Sequence, residues 1–161
     1  MRIAVAFTGP SNSGKTTAIE KIAKKLINKY KIVIVKNDPK DKAKFDIEGK
    51  DSYKFYKTGA EVVVTSPTRT TYFSHRKKEL EDIINMVNDF EIMIVEGLKT
   101  LPLPRIAIFR EKIDESYFGF IKAVAIDNNI DKKSIPKNID ILDLNDIDSI
   151  IDWIFKNAKE V

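Results

Sequence analysis

The chain predicts an α/β fold in which a mainly parallel sheet is layered between helices. Three observations carry that prediction. Strand and helix patterns alternate along the sequence, as a parallel sheet with crossover helices requires. A glycine-rich run, Gly9 to Thr17, joins an apolar strand pattern to a helical one. A second apolar run, Ile92-Met93-Ile94-Val95, closes on an acid, Glu96.

The first strand is Ile3 to Phe7 (IAVAF). Beyond the glycine-rich run, Ile19, Ile22, Ala23, Leu26, Ile27 and Tyr30 recur at three- and four-residue spacing, the signature of one helix face. Lys31 to Val35 (KIVIV) reads as a buried second strand. Lys36 to Lys57 is polar and lysine-rich, with Pro39 near its start; it predicts a loop and then a short helix after Gly49, capped by Asp51 or Ser52. Glu61 to Thr65 and Thr70 to Phe73 flank Ser66-Pro67-Thr68-Arg69, a turn with proline second, so 61–73 predicts a β-hairpin insertion. Lys77 to Asn88 is an amphipathic helix with Leu80, Ile83, Ile84 and Val87 on one side. After the strand that ends at Glu96, two prolines keep Leu98 to Pro104 irregular. Arg105 to Phe109 and Ile121 to Ile126 are further strands, and Ile139 to Leu142 a short edge strand. The final helix, Asp146 to about Lys156, turns Ile147, Ile150, Ile151, Ile154 and Ala158 inward.

With 161 residues, 43% of them hydrophobic, the expectation is one domain over 1–161 that carries the hairpin as an insertion. The absence of cysteine excludes disulfides and thiolate metal sites, and His75 is the only histidine, which argues against a histidine-held metal. Basic residues number 28 against 24 acidic ones and are dispersed, so no nucleic-acid surface is expected. No apolar run reaches membrane length, and the first strand starts too near Met1 for a leader; the expected location is cytoplasmic.

The glycine-rich run has the spacing G-x-x-x-x-G-K-T, a phosphate-binding loop between strand and helix, so the fold class narrows to the P-loop NTPase type. Its chemistry follows from the residue types. Gly9 and Gly14 allow torsions that, around Pro10, turn the successive N–H groups of Ser11, Asn12, Ser13 and beyond toward phosphate oxygens. The helix start at Lys15, Thr16 and Thr17 adds free N–H groups and a positive dipole end. Lys15 reaches the terminal phosphates, and the Thr16 hydroxyl holds Mg²⁺. Hydrolysis or transfer needs an acid near that metal, and Glu96 is the candidate: it ends a strand, and Gly97 permits a sharp turn beside the ligand. Asp38, after the second strand, is a further candidate for the metal's outer shell; a solvated loop acid is the alternative, and the sequence leaves both open.

Beyond the loop, Asp46 followed by Gly49-Lys50-Asp51-Ser52, then Thr58-Gly59-Ala60, Val95-Glu96-Gly97-Leu98-Lys99, Leu103-Pro104-Arg105-Ile106, Ala123 to Asp127 and Asp143-Leu144-Asn145-Asp146 follow in that order. Together with Lys36-Asn37-Asp38 they make the chain resemble the molybdopterin-guanine dinucleotide biosynthesis protein B family (MobB). The resemblance implies a GTP-binding, Mg²⁺-dependent protein of slow GTPase activity. Such a protein would assist a separate guanylyltransferase in attaching GMP to molybdopterin, and would dimerise through its β-rich insertion, here Glu61 to Phe73. Asn37 stands where the family often has histidine, and Leu98 where it often has an aromatic residue. The N-K-x-D guanine motif is absent; Asp127, ending the AVAI strand, can pair with the N1–H and 2-amino groups of guanine, which adenine cannot match. Lys50 and Asp51 read either as contacts to phosphate or pterin or as helix-start residues, Lys99 either as reaching an anionic ligand or as merely solvated, and Trp153 as packing. A small-molecule kinase of the same fold is the alternative; the few arginines, Arg2, Arg69, Arg76, Arg105 and Arg110, form no lid-like cluster. A partitioning-type ATPase would carry a lysine early in the loop, where Pro10 stands.

Overall fold

Six strands run parallel and side by side in the computed structural model, which describes residues 1–161. In chain order the elements are β1 (Ile3–Thr8), α1 (Lys15–Leu26), β2 (Ile32–Lys36), α2 (Asp51–Lys57), β3 (Val62–Thr65), β4 (Thr70–Phe73) and α3 (Leu80–Met86). They continue with β5 (Ile92–Glu96), β6 (Arg105–Phe109), a 3₁₀ turn (Glu115–Phe120), β7 (Ala123–Ile126), β8 (Asp140–Asp143), α4 (Ile147–Asn157) and β9 (Lys159–Glu160). The main sheet is ordered β2-β5-β1-β6-β7-β8, and β9 pairs antiparallel with β1. Every carboxyl end of the six parallel strands therefore lies along one edge, the edge where ligands of such sheets bind.

Contacts divide the chain into two compact units, Met1–Asn37 with Val87–Val161, and Asp38–Met86. The first holds the main sheet. Its inner strands β1, β5, β6 and β7 are apolar on both faces, as a doubly covered sheet demands. Val5, Phe7, Ile94, Ile106 and Ile108 pack under α1 and α4 through Ile19, Ile22, Ile150 and Ile154. The alternate residues Ala107, Phe109, Val124 and Ile126 pack with Tyr117, Ile121, Ile130 and Ile139, so the 3₁₀ turn and its flanking loops cover that part of the other face. Burial of each such large side chain is worth about 1.5–3 kcal/mol.

The second unit holds α2, the β3–β4 hairpin and α3. The hairpin pairs Val62 with Phe73 and Thr65 with Thr70, and its turn is closed by Ser66, which accepts Arg69 N–H through Oγ and donates its own N–H to Arg69 O. The hairpin thus forms at the expected residues, but within a unit wider than 61–73.

Four expectations are corrected. β2 is an edge strand, paired only with β5, and its Ile34 is 47% exposed, so it is half-buried rather than buried. Neither Asp51 nor Ser52 caps α2; Lys50 holds the cap position without a side-chain bond, and Ser52 Oγ donates to Asp46 instead. α3 is shorter than 77–88 and buries no residue, so little packing holds its ends. Lys99 lies over the rings of Tyr117 and Phe120, at 4.3 and 5.5 Å, instead of being merely solvated. The final helix forms as expected, with Asp146 accepting Ser149 N–H at its start and Trp153 packed inside, its indole N–H donating to Asp140 at 2.7 Å.

Candidate phosphate site

β1 delivers its last residue, Thr8, to a loop that ordinary side chains would not permit. Gly9 sits at φ 137° and Gly14 at φ 96°, and Asn12 is also left-handed at 62°. A Cβ on Gly9 would lie 2.5 Å from the Ile108 carbonyl oxygen, and one on Gly14 2.8 Å from Arg110 Nε. Glycine is therefore required at position 9 by torsion and by the Ile108 backbone, and at position 14 by torsion, since the Arg110 side chain can shift. Ser13 Oγ is buried inside the loop with no hydrogen-bond partner, a polar group shaped for something that the protein does not supply. The first turn of α1 contains no acid, so nothing opposes an anion at that positive end.

Lys15 folds back over the loop and donates to the carbonyls of Gly9 at 3.0 Å and Pro10 at 2.5 Å. Burial lowers its pKa; Glu96 opposes that shift, while Lys36 and Lys99 add to it. Ser11, Asn12, Gly14, Lys15, Thr16 and Thr17 line one cavity of about 470 Å³, and Glu96 and Arg110 complete it. The structure thus brings together the loop, the first helical residues and the acid of the second strand. The register explains it: Glu96 pairs with Phe7 across β5 and β1, two residues before Gly9.

Glu96 is held firmly. Its side chain is 13% exposed and takes an ion pair from Lys36 at 2.9 Å, and its carbonyl accepts Asn37 N–H. Behind it the chain turns through two left-handed residues, Gly97 at 89° and Leu98 at 49°. That turn is gripped by Arg105, 1% exposed, which donates to the carbonyls of Gly97 (2.6 Å), Leu98 (2.8 Å) and Leu101 (3.3 Å). Burial lowers the Arg105 pKa, but a guanidinium stays charged at any pH the fold meets. Arg105 is a positioning residue that sequence reading placed only in a strand; its signal was a charge opening the otherwise apolar run IAIF. Arg110 is the second missed residue, an arginine directly behind β6 that lies against Gly14.

Asp127 follows β7, and its carboxylate accepts the Asn145 side-chain amide at 3.1 Å; Asn145 lies beyond β8. Asp127 does not line the phosphate cavity. It stands two strands from β1, about 10 Å at the usual spacing. Along the carboxyl edge the order is then Glu96, the loop, Arg110, Asp127 and Asn145. Asp38 belongs to the 38–86 unit, where its carboxylate accepts the N–H groups of Lys42 and Ala43. Lys50 opens α2, and Asp51 pairs with Lys54 in its first turn.

No cluster of three or more acidic, histidine or cysteine side chains forms a metal cage. Mg²⁺ does not need one, since it is commonly held by one or two protein oxygens, phosphates and water. The Thr16 hydroxyl and the Glu96 carboxylate are the donors that fit it here.

The model of the family described as molybdopterin guanine dinucleotide synthesis protein B (MobB) matches residues 4–127. A putative molybdopterin-guanine dinucleotide biosynthesis adapter protein of Methanocaldococcus jannaschii is 33% identical over 118 residues, 70% of this chain and 49% of that protein, so this chain spans about half its length. The adapter protein of Haemophilus influenzae is 30% identical over 93% of this chain and 86% of its own length. Among solved structures, Bacillus subtilis MobB superposes with a TM-score of 0.76 at 22% identity, covering 99% of both chains. The hydrogenase maturation factor HypB of Archaeoglobus fulgidus shares the fold more distantly, with a TM-score of 0.56 at 17% identity over 96% of this chain and 88% of that one.

Proposed function

The chain belongs to the MobB family, and from that premise we propose that it binds GTP with Mg²⁺ and acts as an accessory protein when GMP is joined to molybdopterin. The observation that carries this is the phosphate cradle itself: two glycines that tolerate no side chain, an orphaned Ser13 hydroxyl, and Lys15 with Glu96 in one cavity. In this reading the phosphates displace the Gly9 and Pro10 carbonyls from the Lys15 ammonium, and α1 receives them end-on. Thr16 and Glu96 would hold Mg²⁺, which would supply the positive charge that phosphoryl chemistry requires. The Lys36 ion pair aims the Glu96 carboxylate.

The row along the sheet edge supports guanine as the base. Asp127 is oriented by Asn145, and a carboxylate there accepts both donors of the guanine edge. Hydrolysis is slow, on the order of 10⁻⁴ to 10⁻² s⁻¹, because the cavity lining holds no glutamine to position water and Arg110 is its one arginine. The partners are the guanylyltransferase and molybdopterin, the assembly is a homodimer through the hairpin, and the setting is cytoplasmic. A P-loop kinase gains little here, since one arginine does not make a phosphate-gripping lid.

The test is reconstitution. Adding the chain to a guanylyltransferase, molybdopterin and Mg-GTP raises the yield of dinucleotide, and Lys15→Ala abolishes the gain; a yield indifferent to the chain refutes the accessory role. For the base, Asp127→Asn weakens GTP binding and improves that of XTP. Unchanged GTP affinity removes Asp127 from the base site.

A further inference from the structure

The 38–86 unit contains a cavity of its own, about 520 Å³, that the phosphate site does not use. Its walls include the rings of Tyr53, Tyr56, Tyr72 and Phe73, and its floor includes Asp46. Two of the rings are fixed in place. Tyr56 is stacked on His75 at 3.8 Å with the planes 9° apart and tilted against Phe73 at 6.2 Å, while Tyr72 is tethered through its hydroxyl to Glu61. Preformed aromatic walls favour a flat ring over a flexible chain, because little ordering remains to be done on binding.

The polar lining selects which flat ring. Four carboxylates, Asp38, Asp41, Asp46 and Glu48, face one cation, Lys44. Such a lining repels a phosphate and attracts a ligand edge rich in N–H groups. Asp46 is the best-formed acceptor. Its Oδ1 takes the Ile47 N–H at 2.8 Å and the Ser52 hydroxyl at 3.0 Å, which fixes the plane of the group. Its Oδ2 is sheltered from water and accepts no hydrogen bond within the protein. A sheltered acceptor left unpaired costs free energy, which a ligand donor recovers. The volume falls within the range of small-molecule sites and exceeds what one bicyclic heterocycle needs.

We propose that this cavity binds the ring end of a pterin, with Asp46 accepting from the 2-amino and N3–H groups of its 2-amino-4-oxopyrimidine edge. The assignment rests on the reading of this chain as a protein that works on molybdopterin. Guanine shares that donor edge, but it arrives on a triphosphate that the acidic lining repels. The anionic tail of the pterin stays outside the carboxylates.

The experiment is titration of the full chain with 6-hydroxymethylpterin, followed by the pterin's own fluorescence, in parallel with lumazine, in which a carbonyl replaces the 2-amino group, and with GTP. Pterin binds saturably, lumazine binds at least about tenfold more weakly, and GTP does not displace pterin at equal concentration. Asp46→Asn keeps the Oδ1 bonds yet turns the acceptor into a donor, and weakens pterin binding by about tenfold or more. Tyr53→Leu weakens it several-fold. Lys15→Ala abolishes GTP binding and leaves pterin binding unchanged, which separates this proposal from the reading of the phosphate site. Non-saturable pterin binding, equal affinity for lumazine, displacement by GTP, or an Asp46→Asn variant with wild-type affinity each overturns the assignment.

Discussion

Replacing Arg105 with methionine removes the guanidinium but keeps an unbranched side chain of similar reach. Arg105 makes three bonds to the carbonyls of the turn behind Glu96, two of them at 2.6 and 2.8 Å and one weaker at 3.3 Å. A hydrogen bond to a charged group is worth about 1.5–3 kcal/mol, and three sheltered carbonyls lose their donor. Against this, methionine spares the fold the burial of a charge, a gain of several kcal/mol that offsets part of the loss. The net loss is about 2–4 kcal/mol. At about 2–4 °C per kcal/mol for a protein of this size, the midpoint falls by about 4–16 °C. Trp153 is the sole tryptophan and is buried under the main sheet, so its fluorescence reports the melting of that unit alone. Arg105→Lys recovers only part of the loss, since a single ammonium cannot span three carbonyls. The second consequence is functional: a loosened Gly97–Leu98 turn frees Glu96, and Mg²⁺-dependent nucleotide binding weakens more than metal-free binding. A midpoint within 2 °C of wild type, or a lysine variant indistinguishable from it, refutes the reasoning.

Other perturbations reach different parts of the account. Gly9→Ala forces a Cβ to 2.5 Å from the Ile108 oxygen at φ 137° and costs roughly 2–4 kcal/mol, whereas Gly59→Ala, with φ 92° and open space around it, costs only about 1 kcal/mol; equal midpoints for the two would contradict the steric argument. Lys15 is held below the ordinary lysine value of 10.5, chiefly by burial, and only its charged form pairs with phosphate. GTP affinity therefore declines with rising pH from a point below that value, and calorimetry showing constant affinity up to about pH 10 would contradict this. In the hairpin, hydrogen bonds from Tyr72, Arg76 and Ser74 bring the Glu61 carboxyl down to about 2 from 4.5. A depressed carboxyl contributes stability above its unfolded pKa and loses it as pH falls toward the folded one. Amide protection in 61–76, taken relative to intrinsic exchange, thus falls between pH 4.5 and about 2, and Glu61→Gln removes that dependence; a glutamine variant with the same acid response excludes Glu61 as the cause.

Where side-chain periodicity and torsional demand coincide, the fold was legible. Gly9 and Gly14 announced the loop because no other residue fits those torsions, and Ile147 to Ile154 announced the last helix through their spacing. β6 was found at its residues, Arg105–Phe109, because an apolar run between Pro104 and a charged segment admits little else. β9 was invisible: two exposed residues, Lys159 and Glu160, carry no pattern, and they pair only because α4 returns the chain beside β1. The 3₁₀ turn at 115–120 was missed for a related reason, its burial resting largely on Tyr117 against Phe109. The edge position of β2 was hidden because an apolar run does not say how many neighbours a strand has. In the site, Glu96 was legible from its place at a strand end. Arg105 and Arg110 were not, because their roles depend on which carbonyl or glycine the fold sets against them. Asp127 was chosen for its strand end, but its orientation by Asn145 joins residues 18 apart that only the β7–β8 pairing brings together.

The account stands most directly on the nucleotide held by the Gly9–Thr17 loop. The deciding measurement is the Trp153-reported midpoint of the full chain with Mg²⁺ and GTP or ATP, each compared with Lys15→Ala. GTP at 100 times its Kd adds about 2.7 kcal/mol, a rise on the order of 5–11 °C. ATP at the same concentration gives distinctly less, and Lys15→Ala gives none. Equal protection by ATP would contradict the guanine assignment, and undiminished protection of Lys15→Ala would contradict the site itself.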